Sequence, residues 1–235
     1  MKKTLLATLL AAGAVVCASS AFAADSVDLK VIGTIEPVAC TPTLSGGGTV
    51  DYGTIKADTL KADDYTVLPI KSLDFAITCD GKAKVALRGI NGRIGSLAGA
   101  TEGVSGFGNV VSGVFGAGAA AIGSAGLGLT SDNKKIGGYT ARVSSAAGVK
   151  ADDIAVDTIY RNDPADSWVA SLSGLFMNST NRQISWATTG TVVPVSFKTL
   201  AGTLEVQAYI SKASELDITK PIQLDGLTTL ELIYL

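Results

Sequence analysis

The chain has 235 residues, no histidine and a formal net charge of −2 at pH 7, from 19 basic and 21 acidic side chains. Such a slightly acidic balance offers no electrostatic footprint for nucleic acid. The missing imidazole removes most acid–base and nucleophile-activating arrangements, so neither an enzyme nor a cofactor nor a bound metal is expected.

Residues 1–23 read as an export signal. Lys2 and Lys3 precede an apolar run from Leu5 to Val16, and Ala21-Phe22-Ala23 has the small-x-small form of a cleavage site. The run is too short to span a bilayer as a helix, which takes about 20 apolar residues. Lipid attachment at Cys17 would want a small residue where Val16 stands, so cleavage before Ala24 is the reading adopted. Removing the signal takes away two lysines and leaves the exported chain more acidic. Its length suits one large β domain or two small ones, and one compact domain is expected.

Immediately after the signal, Val27, Leu29 and Val31 alternate with Asp28 and Lys30, which places the three apolar residues on one face of a strand. A segment of this kind can pair within its own domain or reach another chain. Cys40 and Cys79 are the two cysteines left in the exported chain. In an oxidising compartment they read as one disulfide, worth at most about 4 kcal/mol on the chain-entropy model. A metal site would need two more soft or imidazole ligands.

Residue choice is β-like throughout, with short runs of Val, Ile, Thr and Leu between Gly, Asn, Asp and Ser. Strands are predicted over 27–35, 73–78, 84–88, 127–130, 139–143, 192–198, 204–210 and 228–235. Turns are predicted at Asp80-Gly81, Ser131-Asp132-Asn133, Ala201-Gly202 and Asp225-Gly226. Many short strands with polar punctuation indicate an all-β sandwich. Residues 97–126 form a glycine-rich insertion or loop. The stretch from Gly103 to Ser131 carries no charge, but its glycines are costly in a helix, so it is not read as a membrane span.

Several motifs invite a chemical reading and have a plainer one. Ser131-Asp132-Asn133-Lys134 contains both Ser-x-x-Lys and Ser-Asp-Asn, which in penicillin-recognising enzymes are separate elements; here they overlap, as a polar turn would. Gly116-Ala117-Gly118-Ala119-Ala120-Ala121 matches a loose dinucleotide fingerprint but lacks the strand, helix and distant acid that a phosphate cradle needs. Asp63-Asp64 and Asp152-Asp153 lack the alternating oxygen ligands of a calcium loop and read as solvated turns. Trp168 and Trp186 could stack on a sugar, although a tryptophan in a sandwich is more often core. At the far end, Leu230, Leu232 and Tyr234 share one face of a strand, which needs burial either in the sandwich core or in a groove or partner edge.

Four features together resemble pilin subunits of the chaperone–usher pathway, in particular a fimbrial-like branch. Gly33-Thr34-Ile35 stands seven residues before Cys40, and Cys79 ends the alternating stretch Phe75-Ala76-Ile77-Thr78. Gly126-Leu127-Gly128-Leu129, a turn, and Ile136-Gly137-Gly138-Tyr139 resemble the mid-chain hairpin, and Tyr234 is penultimate. The resemblance implies an immunoglobulin-like sandwich of pilin type, incomplete by one strand, spanning 33–235. It implies a donor strand within the extension 24–32 (Val27, Leu29, Val31) and an edge strand for chaperone or groove contacts (Leu230, Leu232, Tyr234). The partners it implies are like or related subunits, a periplasmic chaperone and an outer-membrane usher, with export through the periplasm to the cell surface. The extension is shorter than many pilin extensions and lacks the usual donor-segment glycine. The function expected is a structural subunit polymerising by donor-strand exchange in support of adhesion; the alternative is a self-complemented monomeric adhesin or periplasmic binding module.

Overall fold

A computed structural model describes residues 27–116 and 123–235; the signal expected over 1–23, and most of the Gly116–Ala121 motif, lie outside them. The chain divides into residues 1–36 and a folded unit, Pro37–Leu235. Within the first unit, residues 27–36 contain no strand, so the strand predicted over 27–35 is not formed. Alternation supplies an apolar face, but a strand also needs a neighbour for its backbone.

Among its described residues the folded unit holds thirteen strands. They are β1 (Cys40–Leu44), β2 (Thr66–Val67), β3 (Lys71–Ala83), β4 (Val85–Asn91), β5 (Gly108–Asn109), β6 (Gly123–Gly126), β7 (Gly137–Val143), β8 (Val149–Ala151), β9 (Ile154–Arg161), β10 (Val169–Ala170), β11 (Gln183–Thr188), β12 (Phe197–Ile210) and β13 (Thr228–Tyr234). Their pairings are antiparallel. One layer runs β1-β3-β12-β7-β6-β5 and the other β13-β4-β11-β9-β8, with β8 leading back to β12. This is the immunoglobulin-like sandwich arrangement.

β3 shows why the layers face each other. Phe75, Ile77 and Cys79 are buried while Asp74, Thr78 and Asp80 are exposed, the period-2 pattern of a half-buried strand. Trp186 of β11 is fully buried from the opposite layer, its ring 6.2 Å from Phe75 and 6.0 Å from Phe197. It is a core residue. Trp168 lies half-buried at the surface beneath the Arg161 guanidinium, 4.6 Å from its ring centre.

Cys40 and Cys79 are directly opposed in the β1–β3 register and are bonded. Pro42 sits in β1 without cost because β1 pairs on one side only.

Two predicted turns are instead strand interior. β3 runs through Asp80-Gly81, where Asp80 exchanges hydrogen bonds with Ala39: its N–H donates to the Ala39 carbonyl, and its Oδ1 accepts from the Ala39 N–H. β12 runs through Ala201-Gly202, where it leaves β8 (Ala201 opposite Lys150) and takes up β7 (Leu204 opposite Val143). The predicted strands 192–198 and 204–210 therefore give way to one strand, Phe197–Ile210. The predicted strand 127–130 reduces to a single bridge between Leu129 and Lys135, flanking the Ser131–Lys134 turn.

The glycine-rich stretch folds onto the sandwich rather than away from it. Leu97, Val110, Val111 and Val114 bury a second apolar cluster against Tyr209 and Leu175. Gly126 permits this: a Cβ there would lie 2.3 Å from the Ser96 carbonyl carbon.

Gly174 is under the strictest constraint. Its φ is +66°, and a Cβ would fall 1.8 Å from the Val143 carbonyl oxygen, while its own carbonyl accepts the Val143 N–H at 3.0 Å. Gly174→Ala should therefore cost about 2–4 kcal/mol, combining backbone strain with a displaced ladder bond. Urea unfolding monitored by tryptophan fluorescence would measure it.

Candidate functional site

Two strand edges are left open on one side of the sandwich. Among the described residues β1 pairs only with β3 and β13 only with β4. Between them lies a cleft of about 1190 Å³, walled by Leu44 of β1 and Leu230 of β13. Its floor comes from inward faces of the first layer: Leu73 of β3, Tyr139 of β7, and Leu204 and Val206 of β12. These strands present apolar side chains there because alternation points every second residue inward.

Two connecting segments supply most of the remaining lining. Val50, Tyr52, Ile55 and Leu60 come from the one after β1, anchored by the Tyr52 hydroxyl, which donates to the Val206 carbonyl and accepts from the Ala208 N–H at 3.1 Å. Burial raises the Tyr52 pKa, in keeping with a phenol held neutral as a structural hydrogen-bonding group. Ile218, Ile222 and Leu224 come from the one ahead of β13. Their chain is held by a forked Arg93–Asp225 contact at 2.8 and 2.7 Å, in which the guanidinium keeps the Asp225 carboxyl below its ordinary range.

The structure places the predicted residues in two groups. Leu230 and Leu232 are half-buried and packed against the core. Tyr234 is 52% exposed, with its hydroxyl accepting the Cys40 N–H at 2.7 Å. The end of β13 is thus tied to the disulfide-bearing start of β1. Val27, Leu29 and Val31 are 95%, 92% and 88% exposed in backbone without secondary structure.

Sequence reasoning overlooked the two connecting segments. Leu216, Ile218, Ile222 and Leu224 do carry a signal, since they fall at even spacing; Pro221 and the flanking charges obscured it. Tyr52 carries no pattern of its own and is defined by tertiary hydrogen bonds alone. The acidic pairs serve local structure: Asp152 Oδ1 accepts from the Lys198 and Thr199 N–H groups, both at 2.9 Å, and Asp64 pairs with Lys61. Among the described residues no cluster of three or more metal-ligating side chains occurs, and no helix is long and apolar enough to cross a membrane.

Fold and site together define an all-β, disulfide-bonded sandwich with an apolar cleft between two open strand edges. A family model described as a protein of unknown function, DUF1120, matches residues 29–140. Protein GltF of Escherichia coli K12 is 30% identical over 255 residues, covering 100% of this chain and 99% of that protein. The uncharacterized protein YhcF of the same organism is 28% identical over 256 residues, covering 97% and 98% respectively. The chain belongs to the same family as protein GltF, and its residues 29–140 match the DUF1120 model.

Tyr139 offers a pH probe of the cleft. Burial pushes its pKa up to about 12, and its hydroxyl is hydrogen-bonded to that of Thr228 at the start of β13. An unfolded tyrosine ionises near 10, so between about pH 10 and 12 the unfolded chain loses a proton that the native one keeps. Stability should be unaffected below pH 10 and fall as pH rises through that window. Tyr139→Phe should flatten part of the fall, measurable by denaturant titration at pH 9, 10 and 11.

Proposed function

We propose that this protein is a structural subunit of a chaperone–usher type fimbria, built by donor-strand exchange and supporting surface adhesion. In this reading the chain is exported through the periplasm and held there by a chaperone. It then passes to an outer-membrane usher and is joined to like or related subunits at the cell surface. The observation carrying the proposal is the apolar cleft bounded by the open edges of β1 and β13. An exposed edge beside unfilled apolar surface favours pairing with another chain.

The occupant proposed is the segment ahead of Gly33 in a second copy. Ala24–Ile32 fully extended spans roughly 30 Å at ~3.3 Å per residue, and β13, with 7 residues, occupies roughly 23 Å. The donor is therefore long enough to follow the whole edge. Its alternation would turn Val27, Leu29 and Val31 into the cleft and leave Asp28 and Lys30 outside. Each buried apolar side chain contributes roughly 1.5–3 kcal/mol, and backbone hydrogen bonds fix the direction. The process needs no cofactor and no catalytic group.

Leu29→Lys tests the assignment, because it would bring an ammonium group into an apolar cleft at a cost of several kcal/mol. Thermal unfolding of the isolated subunit and fibre yield on cells are measured together. The expected result is an unchanged melting temperature with fibres lost. A lowered melting temperature, in a wild type that never polymerises, would instead establish a self-complemented monomer.

A further inference from the structure

A second, smaller cavity carries the opposite chemistry to the cleft. It measures about 200 Å³, and its lining includes Arg88, Arg182, Asn181, Ser105, Phe107 and Phe176. Phe107 and Phe176 are 2% and 1% exposed, so the apolar side of the cavity is made by rings packed into the core. Phe176 also lines the large cleft, and the small cavity backs onto it through that one ring.

Arg182 is fixed in place yet lacks an ionic partner. Its guanidinium lies 4.4 Å from the centre of the Tyr160 ring, and its Nε donates to Asn162 Oδ1 at 2.9 Å. Among the described residues no carboxylate pairs with it, and burial lowers its pKa. Its two Nη groups are left without a protein acceptor there. Arg88 is tied through Nε to Glu231 of β13, which leaves its own Nη groups available. Two guanidinium groups against one carboxylate give the cavity a surplus positive charge. The Asn181 side chain is at the exposed rim and has no hydrogen-bond partner among the described residues.

We propose that this cavity binds a small organic carboxylate through Arg182 and Arg88, with the ligand's apolar face resting on Phe107 and Phe176. A planar guanidinium fork matches a carboxylate in two parallel hydrogen bonds. A bare inorganic anion would leave the aromatic floor unused. The volume lies below the ~300–1000 Å³ of sites for drug-sized ligands, so the cavity takes either a free acid of about one ring or a single acidic sugar unit at a chain end. The inference is independent of the fibre proposal.

The test is an amide NMR titration of the folded, exported chain with benzoate and with glucuronate. Benzyl alcohol, glucose and inorganic phosphate serve as controls. Saturable shifts at residues 88–90, 105–107 and 181–182 are expected with at least one acid and not with its uncharged counterpart; whichever acid binds more tightly identifies a free acid or a sugar acid as the ligand. Arg182→Gln should weaken binding at least about tenfold, the scale of a lost charge-assisted hydrogen bond. Asn181→Asp, at an exposed rim position that does not disturb the fold, should weaken it similarly by repulsion, and it decides the matter if Arg182→Gln fails to fold. The proposal is overturned if neither acid binds, if phosphate or the uncharged compounds shift the same amides equally, or if Asn181→Asp retains wild-type affinity.

Discussion

Hydrogen bonding along both edges of β12 determines where the other elements can sit. β3 takes one edge from Phe197 to Val206, and β2 continues it at Tyr209 and Ile210. Between them the Tyr52 hydroxyl takes the backbone groups of Val206 and Ala208, so the ladder is completed by a side chain where strands leave a gap. The other edge is divided between β8 and β7. Because β8 also pairs with β9, this division turns the chain from one layer to the other and creates a sandwich with two distinct faces. The Trp186, Phe75 and Phe197 cluster then fills the space between.

With the backbone of β12 satisfied on both sides, unpaired edges are displaced to β1 and β13. Natural sheets usually blunt such edges with charge, proline or covering loops. Here Pro42 and the alternate threonines moderate β1, and the Arg88–Glu231 pair decorates β13, but the apolar wall between the two edges is left open. The segments carrying Tyr52 and Ile222 supply most of the lining of the cleft. Stability and the open apolar surface beside β1 and β13 thus arise from the same choice of pairing.

Legibility in the sequence mostly followed burial on one face. β3 and β13 were readable because alternating apolar residues announce their register, β7 by its residue choice although six of its seven residues are buried, and the disulfide because only two cysteines remain beyond the expected signal. β11 was not, since Gln183 to Ala187 are all buried and a strand covered on both faces shows no period. Asp80-Gly81 and Ala201-Gly202 looked like turns, yet hydrogen bonds from distant segments hold both in strands; such partners have no local signature. The 27–35 expectation failed in the opposite sense, with a good pattern but no strand formed. The two walls of the cleft were half legible: Leu230 and Leu232 stood out, whereas Leu44, Tyr52 and Ile222 join them only through tertiary contacts. The arginine-lined cavity was not foreseen, because Arg88 lies on β4 and Arg182 just ahead of β11, with nothing in their spacing to connect them.

The cystine between β1 and β3 has a mechanical meaning. Tension applied to the chain ahead of Pro37 reaches Cys40 within three residues and there passes through a covalent bond to Cys79, inside the long strand that borders β12. Without that bond, the hydrogen bonds of a five-residue edge strand would open one after another, as a zip does. With it, load is delivered to the central β3–β12 ladder, whose many bonds lie side by side and share the strain. A load entering through the first residues would therefore bypass the short edge strand and be borne by the central ladder of the sandwich.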